Sequence, residues 1–338
     1  MMKLSAFFTE QVWTGKGLVA FLLGPVSWLT KLWLMRQDAL YLSGKRDSVH
    51  VPVPVLVVGN VLVGGTGKTP VVISLVQHFQ KLGLQVGVIA RAYGTSDESV
   101  REVTADTQAD AAGDEALLIK RRCQVPVFIG RQRAQAALAL LRAYPATRLL
   151  ISDDGMQHRG LHHDLAVCVF DDRGLGNGWL LPAGPLRESW PRKLAPDVKQ
   201  YLLHTAQQSF ENSLPAKRYL SHIAINGLGQ QRLLSSWINQ PVQALAGIAR
   251  PDLFFEALKN TGLVLANTYP LQDHAPLSNW RPSNDLPVLC TEKDAVKLWP
   301  HLPEAWAVPL ECELPGVLLD EITSDVQQLS LKYGHQTA

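Results

Sequence analysis

VLVVGNVLVGGTGKTP, residues 55–70, decides the fold. It opens on a short apolar run, 55–58, bounded by Gly59-Asn60, which is the pattern of a buried strand. Leu62, Val63, Gly64, Gly65, Thr66, Gly67, Lys68 and Thr69 follow, and then a helical spacing of Val72, Leu75, Val76 and Phe79. Strand, glycine loop and helix in that order make a phosphate-binding loop. Glycines let backbone N–H groups close round phosphate oxygens, and the helix N-terminus adds the positive end of its dipole. Residues 62–69 are therefore the expected ATP-binding loop, although Leu62 stands where the strict G-x-x-x-x-G-K-[ST] pattern has its first glycine. Lys68 is placed to reach the β- and γ-phosphates, and the Thr69 hydroxyl to hold Mg²⁺. Pro70 suits the first helical turn, where its missing N–H matters little.

Working outward, residues 85–90 read as a second strand that ends at Arg91-Ala92-Tyr93-Gly94. Residues 95–112 are small and polar, a mobile loop, and Gly113-Asp114-Glu115 then opens a helix in which Asp114 could serve as an N-cap. A strand over 125–129, a helix over 131–142 and a strand over 148–152 come next. The last delivers Asp153-Asp154-Gly155 at its tip, the Walker-B arrangement that handles Mg²⁺. Strands alternating with helices imply an α/β fold of P-loop type, with a doubly wound, mainly parallel sheet. Polar residues around Gly227-Leu228-Gly229 suggest a linker, and a second α/β pattern begins at Val242. The expected division is 1–36, an N-terminal helical segment; 37–221, the P-loop domain; 222–236, a flexible linker; and 237–338, a smaller α/β domain.

A net charge of +2 over 338 residues argues against nucleic acid as the main partner. Cys123, Cys168, Cys290 and Cys312 form no CxxC pair and read as free thiols of a cytosolic protein. His158, His162 and His163 cluster beside a strand with no cysteine among them, so zinc is not expected. The N-terminus carries an uncharged run over 17–30, with Trp13, Trp28 and Trp33 nearby and Lys3, Lys16, Lys31 and Arg36 around it. No small-residue cleavage site follows, and Gly24-Pro25 is expected to break the run short of a span. Aromatics and lysines at headgroup level fit an interfacial helix on a membrane surface; packing on the protein's own core is the competing reading.

Several stretches together resemble one family, the tetraacyldisaccharide 4′-kinases of Gram-negative bacteria. They are GNVLVGGTGKTP (59–70), RAYG (91–94), GDEALL (113–118), SDDGMQHRGLHHDL (152–165), LPAGPLRES (181–189), GIARPDLFF (247–255), DHAPL (273–277) and TEKDAVKL (291–298). The resemblance implies a kinase at the cytoplasmic face of the inner membrane. It implies transfer of the ATP γ-phosphate to the 4′-hydroxyl of an acylated glucosamine disaccharide 1-phosphate, a lipid substrate. It makes Asp114 the base and His274 its partner. Thr69, Asp153, Asp154 and Glu188 then form the expected Mg²⁺ shell, and no obligate protein partner is evident. Ala92 departs from the family, which usually has glycine there. A partitioning-type switch ATPase has a similar loop, but carries lysine where this chain has Val63. A lipid-binding module with a decayed loop is at odds with intact Lys68, Thr69 and the acidic pair.

Overall fold

A computed structural model describes residues 12–91, 99–192, 195–206 and 210–334. Two sheets organise the chain. The first has eight strands: β1 (Val55–Gly59), β2 (Val86–Ala90), β3 (Arg101–Glu102), β4 (Val127–Ile129), β5 (Leu149–Asp153), β6 (Leu165–Phe170), β7 (Lys199–His204) and β8 (Leu214–Pro215). They run in the order β3-β4-β2-β5-β1-β6-β7-β8, parallel throughout except that β3 is antiparallel to β4. β1, β2, β5 and β6 are buried along their whole length, as expected when helices cover both faces.

Alternation along β1 sends its side chains to two cores. Leu56 and Val58 join the core that holds α2 (Lys68–Lys81) and α3 (Asp114–Cys123), while Val55 and Val57 join the one holding α4 (Arg133–Ala143). The first core also takes Leu318, Ile322 and Val326 of the C-terminal helix α7 (Gly316–Lys332). Residues 237–338 are therefore not one separate unit, because the last helix returns to the first sheet.

The second sheet has the order β11-β10-β15-β14-β12-β13, from β10 (Ile223–Asn226), β11 (Gln231–Leu233), β12 (Pro241–Ala246), β13 (Val264–Pro270), β14 (Val288–Thr291) and β15 (Trp306–Val308). Here the expected linker is corrected. Residues 222–236 contain the β10–β11 hairpin, and β10 pairs antiparallel with β15, so this stretch completes the second sheet. Helices α5 (Pro251–Asn260) and α6 (Glu292–Leu298) accompany the sheet. What lies between the two sheets is a ribbon of β9 (Lys217–Leu220) paired antiparallel with β16 (Leu310–Glu313).

The N-terminal segment is one helix, α1 (Leu18–Leu42), longer than the expected 1–36 boundary allows. Gly24-Pro25 does not end it: proline costs one internal hydrogen bond, and the helix continues through Pro25. Ala20, Ser27 and Leu34 are its buried residues, and Ser27 Oγ donates to the Leu180 carbonyl at 2.8 Å. Leu18, Phe21, Leu22, Val26, Trp28, Leu29 and Trp33 remain exposed. The helix is long and apolar enough to cross a membrane, with 25 residues and a mean hydropathy of 1.6 in its best window. A cavity of about 390 Å³ opens between its C-terminal half and the segments carrying Arg159, His162, Glu188 and Arg192.

Candidate active site

The glycine loop sits where β1 hands over to α2. Gly64 and Gly67 hold φ of +92° and +76°, a region in which side chains are strained, so glycine is required at both. Leu62 needs no positive φ. It is buried and bridges to Leu186, while the Val63 N–H donates to the Pro185 carbonyl at 2.9 Å. The missing first glycine is thus replaced by a position tied to the 181–189 loop. Arg173 grips the loop from outside: it donates to the Val63 and Gly65 carbonyls at 2.9 and 3.2 Å, and pairs with Asp171 at 2.7 Å.

β5 lies beside β1 with Val58 opposite Asp153, which brings the acidic tip to the loop. Lys68 Nζ donates to Asn60 Oδ1 at 3.0 Å and stands 3.5 Å from Asp154. Arg187 approaches the same carboxylate at 3.0 Å. Burial works against the Asp154 charge, but Lys68 and Arg187 outweigh it and hold the carboxyl below its usual range. Asp153 is more deeply buried, and burial pushes it up to about 7 despite Lys68. Beneath it, buried Arg133 donates to the Asp153 and Gly130 carbonyls, and burial lowers its guanidinium to about 10. His158, pushed down to about 4 by burial and by Arg133 and Arg91, is neutral near pH 7.

The donor set fits a nucleotide with its metal. Asp153 Oδ1 and Thr66 Oγ1 are buried and find no hydrogen-bond partner among the described residues. A buried polar atom without a partner is costly, and here both lie where phosphate and Mg²⁺ chemistry would satisfy them.

Asp114 and His274, expected in separate domains, are in contact. His274 Nδ1 is 3.2 Å from Asp114 Oδ2, and Lys297 Nζ is 3.1 Å from the same oxygen. Asp114 is the first residue of α3, entered through Gly113 at φ +82°. His274 is itself at φ +60° in the loop after β13. Burial opposes the Asp114 charge, but the His274 hydrogen bond and the Lys297 and Lys293 charges prevail and depress its pKa. The same bond raises His274 against the effect of burial. Lys293 joins the dyad to the metal-type acids: it lies 3.3 Å from His274 Nε2 and 2.8 Å from Glu115, whose charge acts on Asp153.

Glu188 is buried against Arg192 at 2.9 Å and Gln157 at 2.6 Å, and the same Gln157 amide donates to the carbonyl of Asn60, whose side chain takes Lys68. The stretch 92–94 lies outside the described residues. Sequence reasoning gave no role to Asn60, Arg133, Arg173, Arg187, Lys293 or Lys297. Asn60, Arg187, Lys293 and Lys297 carried a signal, each lying in one of the stretches that resemble the family, whereas Arg133 and Arg173 lie in none.

The profile of the LpxK family, tetraacyldisaccharide-1-P 4′-kinase, matches residues 19–327. The chain belongs to this family. Among its relatives, the tetraacyldisaccharide 4′-kinase of Acidovorax sp. (strain JS42) is 45% identical over 322 residues, 94% of each chain. That of Polaromonas naphthalenivorans (strain CJ2) is 45% identical, covering 97% of this chain and 98% of its own. That of Actinobacillus succinogenes is 41% identical, with 94% and 98% covered. The 2.2 Å crystal structure of the "apo" form of LpxK from Aquifex aeolicus in complex with ATP superimposes with a TM-score of 0.80 at 26% identity. It covers 91% of this chain and 99% of that one. The switch-ATPase and decayed-module readings fall with family membership.

Proposed function

We propose that this chain transfers the γ-phosphoryl group of ATP to the 4′-hydroxyl of a tetraacyldisaccharide 1-phosphate at the cytoplasmic face of the inner membrane. The observation that carries this is the junction of two half-sites: the Lys68–Asp154 loop and the Asp114–His274 pair, linked through Glu115 and Lys293. Residues 62–69 hold the triphosphate, with Lys68 as the mobile charge. Thr69, Asp153, Asp154 and Glu188 would hold Mg²⁺, which when bound neutralises phosphate charge. Arg187 shares Asp154 with Lys68, so the two cations compete for one carboxylate and either can turn to phosphate.

In the transfer, the 4′-oxygen bonds to the γ-phosphorus as the bond to the β,γ-bridging oxygen breaks, its electron pair leaving with ADP. The hydroxyl proton goes to the Asp114 carboxylate, which is ionised at neutral pH because its pKa is depressed. His274 and Lys297 hold that carboxylate in place from the second-sheet side. The exposed apolar face of α1 rests in the interface of the bilayer that carries the lipid substrate, with the acyl chains alongside it.

The test is a phosphotransfer assay with ATP, Mg²⁺ and the acylated disaccharide in detergent. The expected result is a 4′-phosphorylated lipid and stoichiometric ADP. ATP turnover without a phosphorylated lipid would overturn the reading.

A further inference from the structure

Arg218 lies in β9, on the ribbon between the two sheets. Its cross-strand neighbour is Cys312, which is buried in the core that holds α2. Directly opposed residues share a face, so Arg218 stands on the side of the ribbon turned towards α2. Its guanidinium reaches the first turn of that helix: a methyl group on Gly67 would meet Arg218 Nη1 at 2.6 Å.

The position is electrostatically odd. A helix N-terminus carries about half a positive charge, and Lys68 is the next residue. The neighbouring arginines all have acceptors. Arg173 has Asp171 and two loop carbonyls, Arg187 has Asp154, and Arg133 has the Gly130 and Asp153 carbonyls. Arg218 makes no hydrogen bond or ion pair among the described residues. In the same loop, Thr66 Oγ1 is buried without a partner among the described residues. A cation at the positive end of a helix, next to a lysine, is held there favourably only with a polyanion between them.

We infer that Arg218 is a phosphate-binding residue for the diphosphate portion of the nucleotide, the part that departs as ADP. The Gly67–Lys68 end of such a loop cradles the α- and β-phosphates, and Arg218 closes that cradle from the ribbon side. Negative charge accumulates on the leaving diphosphate during transfer, and a fixed guanidinium there lowers its cost. Because the ribbon joins the two sheets, the arginine is delivered by the same junction that delivers His274. The inference rests on the P-loop reading above.

The experiment measures equilibrium affinity of the full-length chain for ATP, ADP and AMP, with Mg²⁺, in Arg218→Ala and Arg218→Lys. Lys68→Ala is the control for the loop itself. ATP and ADP dissociation constants should both rise about tenfold or more in Arg218→Ala, the size expected for a charge-assisted contact. AMP, which offers the cradle only its α-phosphate, should lose less affinity than ADP, and the melting temperature should stay as in the parent. Arg218→Lys should recover part of the loss, since it keeps the charge without the fork. ADP affinity within twofold of the parent in Arg218→Ala, or loss for ATP alone, would overturn the assignment. If Arg218→Ala does not fold, ADP affinity in Arg218→Lys decides: unchanged affinity counts against the contact, and a partial loss supports it. Unchanged ADP affinity in Lys68→Ala would instead remove the P-loop reading.

Discussion

Lys68 and Asp114 illustrate how one side chain's work depends on its partners. Lys68 balances Asp154, which Arg187 also holds, and so can move to phosphate without leaving a carboxylate bare. Lys68→Ala and Thr69→Ala should each lower turnover by about 10²-fold or more, because each removes a group acting on the triphosphate or its Mg²⁺. Near-parental steady-state rates in either variant would place the nucleotide elsewhere. Asp114 and His274 should act as one unit: Asp114→Ala and His274→Ala each lower kcat by about 10²–10⁴-fold, and the double variant loses little more. Losses that multiply cleanly would mean independent roles. The pair should also shape stability against pH. Asp114 is depressed, so its contribution is present above the ordinary 3.8 and fades as pH falls through its folded value. His274 is raised, so its contribution is whole below 6.5 and fades as pH rises through its folded value. The melting-temperature gap between parent and His274→Gln should therefore be widest between these two limits and narrow on the alkaline side. A gap that widens there would contradict the shifts.

At the scale of elements, α1 and α7 pose opposite cases. α1 touches the body through few side chains and presents a wide apolar face. Replacing Trp28, Leu29 and Trp33 by serine should reduce co-sedimentation with anionic vesicles and raise the apparent KM for lipid. ATP affinity and melting temperature should hold, because those residues are exposed. A fall in melting temperature of the size a core substitution causes would favour packing on the protein itself. α7 is the reverse: its buried Leu318 and Ile322 belong to the core of the first sheet. Leu318→Ala should cost about 2–5 kcal/mol of unfolding free energy, read by denaturant titration. A cost under about 0.5 kcal/mol, usual for surface substitutions, would mean that α7 docks loosely.

Across the whole molecule, charged contacts tie the sheets into one body. Arg122 of α3 meets Glu292, at the start of α6, and Glu311 of the ribbon, both at 2.8 Å. Burial works against the Arg122 charge, but the two glutamates outweigh it and raise its pKa. Lys297 of α6 similarly joins Asp114 at 3.1 Å and Asp294 at 3.5 Å. Removing the cation of such a group takes from its carboxylates the charge they share. Arg122→Ala should thus cost about 3–5 kcal/mol and reduce kcat by loosening the seat of His274. Calorimetric unfolding and initial rates check both; an unaltered kcat with lost stability would detach the junction from catalysis.

Much of this was legible in the chain because its signals are local. A β-branched run, a glycine pair with φ available above zero, a lysine and a helical spacing all fall within residues 55–79, so β1, the loop and α2 need no distant partner to be recognised. The same holds for β5 and its tip at Asp153-Asp154. Other features depend on which segments meet. The polar residues of 222–236 resemble a linker until β15, about 80 positions later, offers β10 an edge. Glu188 has the chemistry of a metal ligand, and only the fold shows that Gln157 ties it to Asn60 beside Lys68. Arg218 carries no motif, and its place beside Gly67 follows from the register of the β9–β16 ribbon. Backbone propensity and periodicity act over a few residues and are written in order along the chain. Ion pairing, edge pairing and the docking of α7 are settled by distance in space, which the order of residues does not contain.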